Sequence, residues 1–370
     1  FAQESKGTIT GTSVSASTEQ ALAGVEVTIV NLETGLTRTI VTDSDGRYTF
    51  PLLPPGNYSL TAKKDGFSVA QEKQFSVRPS GKTNLDVALE AGDIERISVR
   101  GTSISNIDVT SSESQLYVDQ EFISKVPVPR DISSVALLAP GTVSGDSDFG
   151  NYASFGGSSV GENVYYVNGI NVTNFRNGLG GSELPFEMYE SFEVKTGGYS
   201  AKFGRATGGT INTTTKSGTN EWEFSAVVQY APDSLQDDGS ISRGNQGAGQ
   251  IFRDESVASD SSADITLAVG GPLIEDTLFF YGLVNPRDTE STYTWGGDEF
   301  SPNDQYRKES ASGGDNLFWG GKLDWDITDN HRLSYFAYSN RRDIERSVYE
   351  YDNGVIGDRI DGALLKRGGK

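Results

Sequence analysis

Apolar and polar residues alternate in short runs along most of this chain, and this alternation constrains its fold more than any other feature. In the run 24–32, for example, Val25, Val27 and Ile29 share one face of an extended strand, because successive side chains on a strand point to opposite sides. No run of about 18 or more apolar residues occurs, which excludes a transmembrane helix. A spanning β-barrel stays possible, since its strands also alternate. The pattern therefore predicts a mainly β protein.

The composition excludes several classes of function. The 370 residues include no Cys and a single His, His331, so a disulfide framework, a Cys- or Ser-His catalytic site and a multi-His zinc site cannot be assembled. A formal net charge of −20 argues against nucleic acid as a partner, because phosphates need Lys and Arg to neutralise them. We expect no enzyme activity, no catalytic residues, no cofactor and no metal site. The acidic pairs Asp146 with Asp148 and Asp237 with Asp238 lack the spacing of a calcium loop, so we interpret them as solvated.

Residues 7–90 are a series of short alternating strands separated by turns. An Asp-Gly turn at 45–46 and a Pro-Pro-Gly turn at 54–56 lie beside aromatic strands. This spacing predicts an antiparallel β-sandwich of about 80 residues and roughly seven strands. The segment 42–67 resembles the carboxypeptidase regulatory-like domain, a transthyretin-like sandwich, and the resemblance implies no peptidase activity. The matching residues are Thr42, Asp43, Gly46, Tyr48, Leu53, Pro55, Gly56, Tyr58, Gly66 and Phe67.

Residues 91–107 form a short linker with one apolar alternation, Ile94, Ile97 and Val99. The alternation lies just ahead of the next domain and resembles a TonB box, the exposed strand that the periplasmic coupling protein TonB captures. The box consists of Ile94, Glu95, Arg96, Ile97, Ser98 and Val99. The resemblance implies that the C-terminal domain of TonB binds this strand by β-augmentation, with main-chain hydrogen bonds supplying the affinity.

Residues 108–217 change in character to a mixture of short helices and strands. A helical start follows Asp119, and an amphipathic helix is predicted from Asp131 to Leu138. The run 163–172 predicts a strand, a turn and a strand, and the run 187–220 predicts short strands punctuated by glycines. These elements fit a small α+β domain of roughly 100 residues.

The same region resembles the plug of TonB-dependent receptors, and among them the Oar-like group, which carries a regulatory-like domain in front of the plug. The matching segments are VPVPRD, LLAPGTVS, ENVYYVNGINVTN and FEVKTGGYSAKFGRATGGTINTTTKSGTNEWEFSA. The plug signature consists of Tyr166, Asn168, Gly169, Gly197, Gly204, Gly208 and Gly209. The family usually has Asp at the position of Asn168, so we expect the turn to persist without its charge.

The glycines of the signature have a physical interpretation. We expect them, together with Gly198, to let tight turns lie against a barrel wall with no Cβ in the way, and to permit positive φ. Ordinary hairpin turns are the alternative, and both interpretations give the same fold.

Beyond residue 218 the alternation takes a form typical of an outer-membrane barrel. Five strands are predicted, joined by connections that are alternately long and short. They are 221–230, 263–270, 277–285, 317–327 and 332–340. Trp222, Tyr230, Trp319 and Trp325 lie near strand ends, as in aromatic girdles. A soluble β-sandwich with one wet face is the alternative, although it would not require this alternation of connection lengths.

Residues 218–370 are therefore predicted to be the first strands of a transmembrane antiparallel β-barrel that is incomplete in this chain. Five strands cannot close a barrel, and open edges are costly at membrane depth. We expect an odd strand count and a truncation at Lys370. At the other end, residues 1–6 are interpreted as the remnant of a secretory signal or an N-terminal tail, with a cloning scar as the alternative.

These resemblances imply a transporter of the bacterial outer membrane, with its sandwich in the periplasm and its barrel in contact with lipid. The TonB complex of the inner membrane would supply the energy, and the substrate would be a peptide, a protein or a glycan. The alternative is a cell-surface adhesion or carbohydrate-binding scaffold protein, because the sandwich also resembles carbohydrate-binding-like folds.

Overall fold

A computed structural model of the chain describes residues 6–32, 34–78, 81–92, 114–126, 128–145, 152–201, 203–236, 239, 241–243, 251–295, 304–312, 316–328, 331–352 and 354–367. The described residues form two compact units. One comprises 1–223 with 270–280 and 323–335, and the other comprises 224–269, 281–322 and 336–370. Among the described residues, no helix is both long and apolar enough to cross a membrane.

The N-terminal segment folds into a sandwich of two four-stranded sheets, which confirms the predicted sandwich. The prediction that it is antiparallel throughout is wrong, because β7 and β8 pair with β1 in parallel. Its strands are β1 (Gly7–Ser15), β2 (Glu26–Asn31), β3 (Thr37–Val41), β4 (Arg47–Leu53), β5 (Gly56–Lys63), β6 (Ala70–Val77), β7 (Lys82–Asn84) and β8 (Val87–Leu89). One sheet has the order β4-β1-β7 with β8 also on β1, and the other has the order β3-β2-β5-β6. The faces predicted from the alternation, including Val25, Val27 and Ile29, pack into one buried core.

The residues of the regulatory-like signature shape the turns of this sandwich. The Asp43 carboxylate accepts hydrogen bonds from the backbone N–H groups of Asp45 (2.9 Å) and Arg47 (2.8 Å). Gly46 follows with φ +70°, and a Cβ there would lie 2.7 Å from the Ser13 carbonyl oxygen. Only glycine therefore suits this turn. These contacts explain the local spacing of the motif without any catalytic role.

The central domain, residues 114–215, is a five-stranded sheet with two short helices. Its elements are β9 (Ser114–Asp119), α1 (Gln120–Lys125), α2 (Ile132–Ala136), β10 (Thr142–Ser144), β11 (Ala153–Phe155), β12 (Val164–Val167), β13 (Ile170–Asn171), β14 (Tyr189–Gly197) and β15 (Thr210–Thr215). The sheet order is β13-β12-β15-β14-β9, and β10 pairs with β11 separately. Both helices begin after an aspartate cap, since Asp119 accepts from the Phe122 N–H and Asp131 from the Ser134 N–H, each at 2.8 Å. The second helix is shorter than predicted and ends at Ala136.

The C-terminal strands are β16 (Glu223–Ala231), β17 (Ile241–Arg243), β18 (Ile251–Asp254), β19 (Ser259–Ile274), β20 (Leu278–Trp295), β21 (Gln305–Ala311), β22 (Leu317–Thr328), β23 (His331–Asn340), β24 (Arg342–Asp352) and β25 (Val355–Arg367). Eight of them form one open sheet of order β16-β19-β20-β21-β24-β25, in which β22 pairs with β20 and β23. Strands β21 and β22 therefore both pair with β20, and β24 and β23 pair with β21 and β22 in turn. Among the described residues the sheet thus has six strand positions, and two of these positions are each occupied by two successive strands.

The prediction of five C-terminal strands is wrong, because the polar stretches taken as loops are partly strand. Strand β20 continues through the polar residues 286–295, and β25 adds a sixth position that the alternation did not indicate. Cross-strand contacts stabilise these polar extensions: Lys308 and Glu290 form an ion pair at 2.7 Å, and the Tyr293 hydroxyl donates to Glu309 at 2.9 Å. The expected odd count, and the regular alternation of long and short connections, are therefore corrected as well.

Burial on parts of β19 and β22 is the reverse of that in a soluble sheet, whereas on β20 Phe279, Tyr281 and Leu283 are buried. On β19, Ile265 and Leu267 are 46% and 48% exposed, whereas Thr266 between them is 1% exposed. On β22, Trp325 is 45% exposed and its neighbour Asp324 is 1% exposed. Apolar side chains on the outside and polar ones on the inside are typical of barrel strands in lipid. This pattern supports the start of a transmembrane barrel over the soluble sandwich.

Candidate functional site

The predicted TonB box, Ile94 to Val99, lies outside the described residues. The same holds for the acidic pairs at 146 and 148 and at 237 and 238. The signature residues of the central domain are described, and they lie around the five-stranded sheet.

The first part of the signature is a tight hairpin between β12 and β13. Val167 pairs with Ile170, which leaves Asn168 and Gly169 as a two-residue turn with φ +50° and +77°. Positive φ at both positions is the geometry of a type I′ turn, which favours Asn-Gly. The Asn168 side chain also donates to the Thr215 hydroxyl (2.8 Å) and accepts from the Thr215 N–H (3.0 Å). The turn is therefore tied to the end of β15.

Tyr166 belongs to an aromatic cluster on one face of the sheet. Its ring meets that of Phe203 edge to face, with centroids 5.8 Å apart, and Val164 packs beside them. Tyr199 also contacts Phe203, and its hydroxyl donates to the Gly208 carbonyl at 2.8 Å. This cluster holds the loop between β14 and β15 on the sheet.

Gly208 and Gly209 allow close packing within the domain itself. A Cβ on Gly208 would lie 2.5 Å from the Asn163 side-chain oxygen, and one on Gly209 would lie 2.4 Å from the Phe155 ring. Asn163 is 1% exposed, accepts from the Gly209 N–H (3.0 Å) and donates to the Ala153 carbonyl (2.6 Å). Asn163 is not among the predicted signature residues, although it directly precedes the buried strand β12.

Two other signature glycines have no close neighbour among the described residues. A Cβ on Gly197 or Gly204 would meet no atom of the described residues within 4 Å, and neither has a positive φ. Gly198 does have φ +68°, so glycine is required there for conformation. The neighbours that constrain Gly208 and Gly209 are side chains of the central domain and not a barrel wall.

A buried ion pair lies on the same face of the sheet as Tyr166. Glu193 and Lys195 alternate with apolar residues on β14, and their charged atoms are 3.4 Å apart with side chains only 4% and 5% exposed. The Asn212 amide of β15 donates to Glu193 at 3.4 Å, and the Lys195 ammonium lies 4.9 Å from the centre of the Phe203 ring. Buried charges persist in proteins when they are paired in this way. The part of this face around Glu193 and Lys195 is therefore polar but buried.

A second charged cluster lies where β15 leads towards β16. Burial lowers the pKa of Lys216, and the nearby carboxylates of Glu190 and Glu223 partly oppose that shift. Arg130 pairs with Glu187 and lies 5.2 Å from the centre of the Phe186 ring. The charges of this cluster connect the segment before α2, the start of β14 and the start of β16.

Comparison with known proteins gives two family matches that follow each other along the chain. The model of the carboxypeptidase regulatory-like domain matches residues 8–90, and that of the TonB-dependent receptor plug domain matches residues 105–210. The TonB-dependent transporter Oar of Myxococcus xanthus is 31% identical over 309 residues, which are 80% of this chain and 28% of that protein. The chain therefore spans less than a third of the length of this relative.

Similarity to solved structures covers only about a quarter of the chain. The pilus 2b backbone protein of group B streptococcus is 19% identical, with a TM-score of 0.19, over 24% of this chain and 42% of that chain. The 5-hydroxyisourate hydrolase of Klebsiella pneumoniae is 25% identical, with a TM-score of 0.20, over 23% of this chain and 86% of that chain. TM-scores this low carry no argument about function.

Proposed function

This chain belongs with the Oar-like TonB-dependent receptors, and on that premise we propose that the protein moves a substrate across the outer membrane with energy delivered through TonB. The observation that carries the proposal is the succession of a plug domain and of strands, such as β19 and β22, on which exposed apolar side chains alternate with buried polar ones. We further propose that the substrate is a peptide, a protein or a glycan.

In this proposal TonB binds the segment Ile94 to Val99 by adding it as a strand to its own sheet. The box precedes β9, which is the edge strand of the plug sheet and has only β14 as a neighbour among the described strands. The first pair of that ladder is Ser114 with Gly197, and the last is Asp119 with Ser191. A pull from the N-terminal side would therefore open the ladder one pair at a time from Ser114.

Opening this ladder would uncover the buried ion pair. Tyr117 lies opposite Glu193, and Gln115 lies opposite Lys195 in the register of β9 and β14. Once β9 leaves, water would reach one side of both charges, which weakens their attraction because the local dielectric rises. The polar face of the plug sheet would then loosen, and a change from order to disorder of one segment would open a path.

The experiment that tests energy coupling compares two substitutions at one position of the box. Ile97→Pro removes a backbone donor and blocks strand addition, whereas Ile97→Val keeps the main chain and the apolar side chain. We expect Ile97→Pro to abolish uptake while leaving surface binding of the substrate intact, and Ile97→Val to retain both. Deleting Ile94 to Val99 should reproduce the proline result. Uptake unchanged by the proline and by the deletion would contradict the proposal and favour a surface-binding protein.

A further inference from the structure

Four charged side chains meet between the N-terminal sandwich and the ends of two C-terminal strands. The guanidinium of Arg38 on β3 lies 3.3 Å from the Asp326 carboxylate on β22, and their side chains are 6% and 8% exposed. Arg332 on β23 lies 3.2 Å from the same carboxylate and 3.4 Å from that of Asp324. Two positive and two negative groups are thus buried together in a balanced network.

The backbone next to this network joins the same elements. The Asn220 N–H donates to the Thr34 carbonyl of the sandwich at 3.3 Å. The Asn220 side chain exchanges two hydrogen bonds with Asp276, at 2.8 and 3.0 Å, in the short turn between β19 and β20. The Asp326 N–H in turn donates to the Thr277 carbonyl at 2.8 Å. The loop of the sandwich at Thr34 is therefore linked through Asn220 to the short turn between β19 and β20, and this turn contacts Asp326 near the end of β22.

The geometry of Arg38 specifies one orientation of the sandwich. Its guanidinium also donates to the Pro51 carbonyl of its own domain at 3.1 Å, which aims the group towards Asp326. A buried charge that loses its partner is costly, so the network favours the arrangement in which all four groups are paired. Planar guanidinium groups make such contacts directional.

We propose that residues 34–38 of the regulatory-like domain are a docking surface, and that its partner is this chain's own strand ends at 276–277 and 324–332. The domain is then mounted on the short-turn side of the barrel strands in one orientation and is not a freely tethered module. In outer-membrane barrels short turns face the periplasm, so docking also assigns the side on which the domain lies. The inference goes beyond transport and does not require it.

A disulfide tests the docking directly, because the chain contains no Cys. A Cβ on Gly35 would lie 4.0 Å from the Asn220 Cβ, which is within the range that a disulfide spans. In the full-length protein in outer membranes, we expect Gly35→Cys with Asn220→Cys to cross-link on mild oxidation and to change mobility on a non-reducing gel. The matched control is Gly24→Cys with Asn220→Cys, since Gly24 also has a positive φ of +68° but lies beside Lys64 instead.

Removing either side of the network should reduce the cross-link. We expect Arg38→Ala and Asp326→Asn, each added to the Gly35 and Asn220 pair, to cause a large loss of cross-linked protein. The fraction of full-length protein assembled in the outer membrane reports that these variants are folded, and it is a separate readout from docking. A cross-link no greater than in the Gly24 control, or one that both network variants leave unchanged, would overturn the proposal.

Discussion

At the scale of single residues, the side chain of Asn168 does more than permit a turn. It bonds to both the N–H and the hydroxyl of Thr215, and so ties the hairpin to the end of the neighbouring strand. A carboxylate at this position could still accept from both groups, since the Thr215 hydroxyl can also donate, at 3.2 Å. The departure from the family residue therefore keeps the turn and its anchor, and it removes one charge.

Gly209→Ala and Gly197→Ala form a matched pair that tests which glycines are packed. The added methyl group at 209 would meet the Phe155 ring at 2.4 Å, whereas at 197 it would meet no described atom within 4 Å. We expect Gly209→Ala to destabilise the plug by about 1–3 kcal/mol through overpacking. Gly197→Ala should change stability by no more than about 0.5 kcal/mol. Hydrogen exchange of the β15 amides measures both effects, and equal protection in the two variants would contradict this assignment.

At the scale of elements, the ladder between β9 and β14 is the step that we expect to open first. The start of this ladder can be locked, because the hydroxyl of Thr196, the residue next to Gly197, donates to that of Ser114 at 2.9 Å. Ser114→Cys with Thr196→Cys should form a disulfide that prevents β9 from leaving the sheet. We expect uptake to be lost on oxidation and restored on reduction, with surface binding unaffected.

The single variants Ser114→Cys and Thr196→Cys are the controls for this lock, because they add a thiol without a cross-link. Both should transport normally in oxidising and reducing conditions. Normal uptake by the oxidised double variant, with the disulfide shown to be complete, would mean that β9 stays in place during transport.

The lengths of the strands with polar ends also depend on contacts between elements. Strand β20 has 18 residues, more than the 9–11 that a membrane strand needs. Its apolar part lies near Leu278, and its polar part continues to Trp295, where Arg307 stacks 4.7 Å from the centre of the Trp295 ring. Hydrophobic alternation predicts only the part of a strand that has an apolar face, so it missed the polar part. The sequence also contains an Asn-Gly turn signal at 353–354, between the paired residues Asp352 and Val355. This signal predicts the hairpin that leads into β25.

At the scale of the whole molecule, the exposed apolar face of the C-terminal strands should determine how stably the barrel inserts into the membrane. Leu267 is exposed in the apolar part of β19, and Ser261 lies on the same face towards the polar start of the strand, because side chains two residues apart share a face. We expect Leu267→Arg to destabilise the inserted barrel by about 2–4 kcal/mol, and Ser261→Arg by about 0–1 kcal/mol, because the cost depends on depth. The fraction of full-length protein assembled in the outer membrane is the measurement. Equal assembly of both variants would show that this face does not contact lipid.

The sequence alone determined the elements that depend on local chemistry. Alternation identified the sandwich core around Val25 and Ile29, the Asn-Gly turn at 168–169 and the outward aromatic face of β22. Aspartate caps located the two helix starts at 119 and 131. Strand period, turn conformation and caps are properties of a few neighbouring residues, so one sequence is sufficient to predict them.

Only the tertiary structure decided which polar residues are buried and what they meet. Glu193 and Lys195 look like an ordinary wet face of a strand, and Arg38 and Asp326 are 288 residues apart. Asn163 joins β11 to the segment just before β15 through its amide, and Gly208 and Gly209 pack against it and Phe155. Such contacts arise from the order of strands in sheets and from the packing of one element on another. A buried charge is tolerated only where the fold supplies its partner. Because that partner can be far away in the sequence, residue type and spacing alone do not predict the contact.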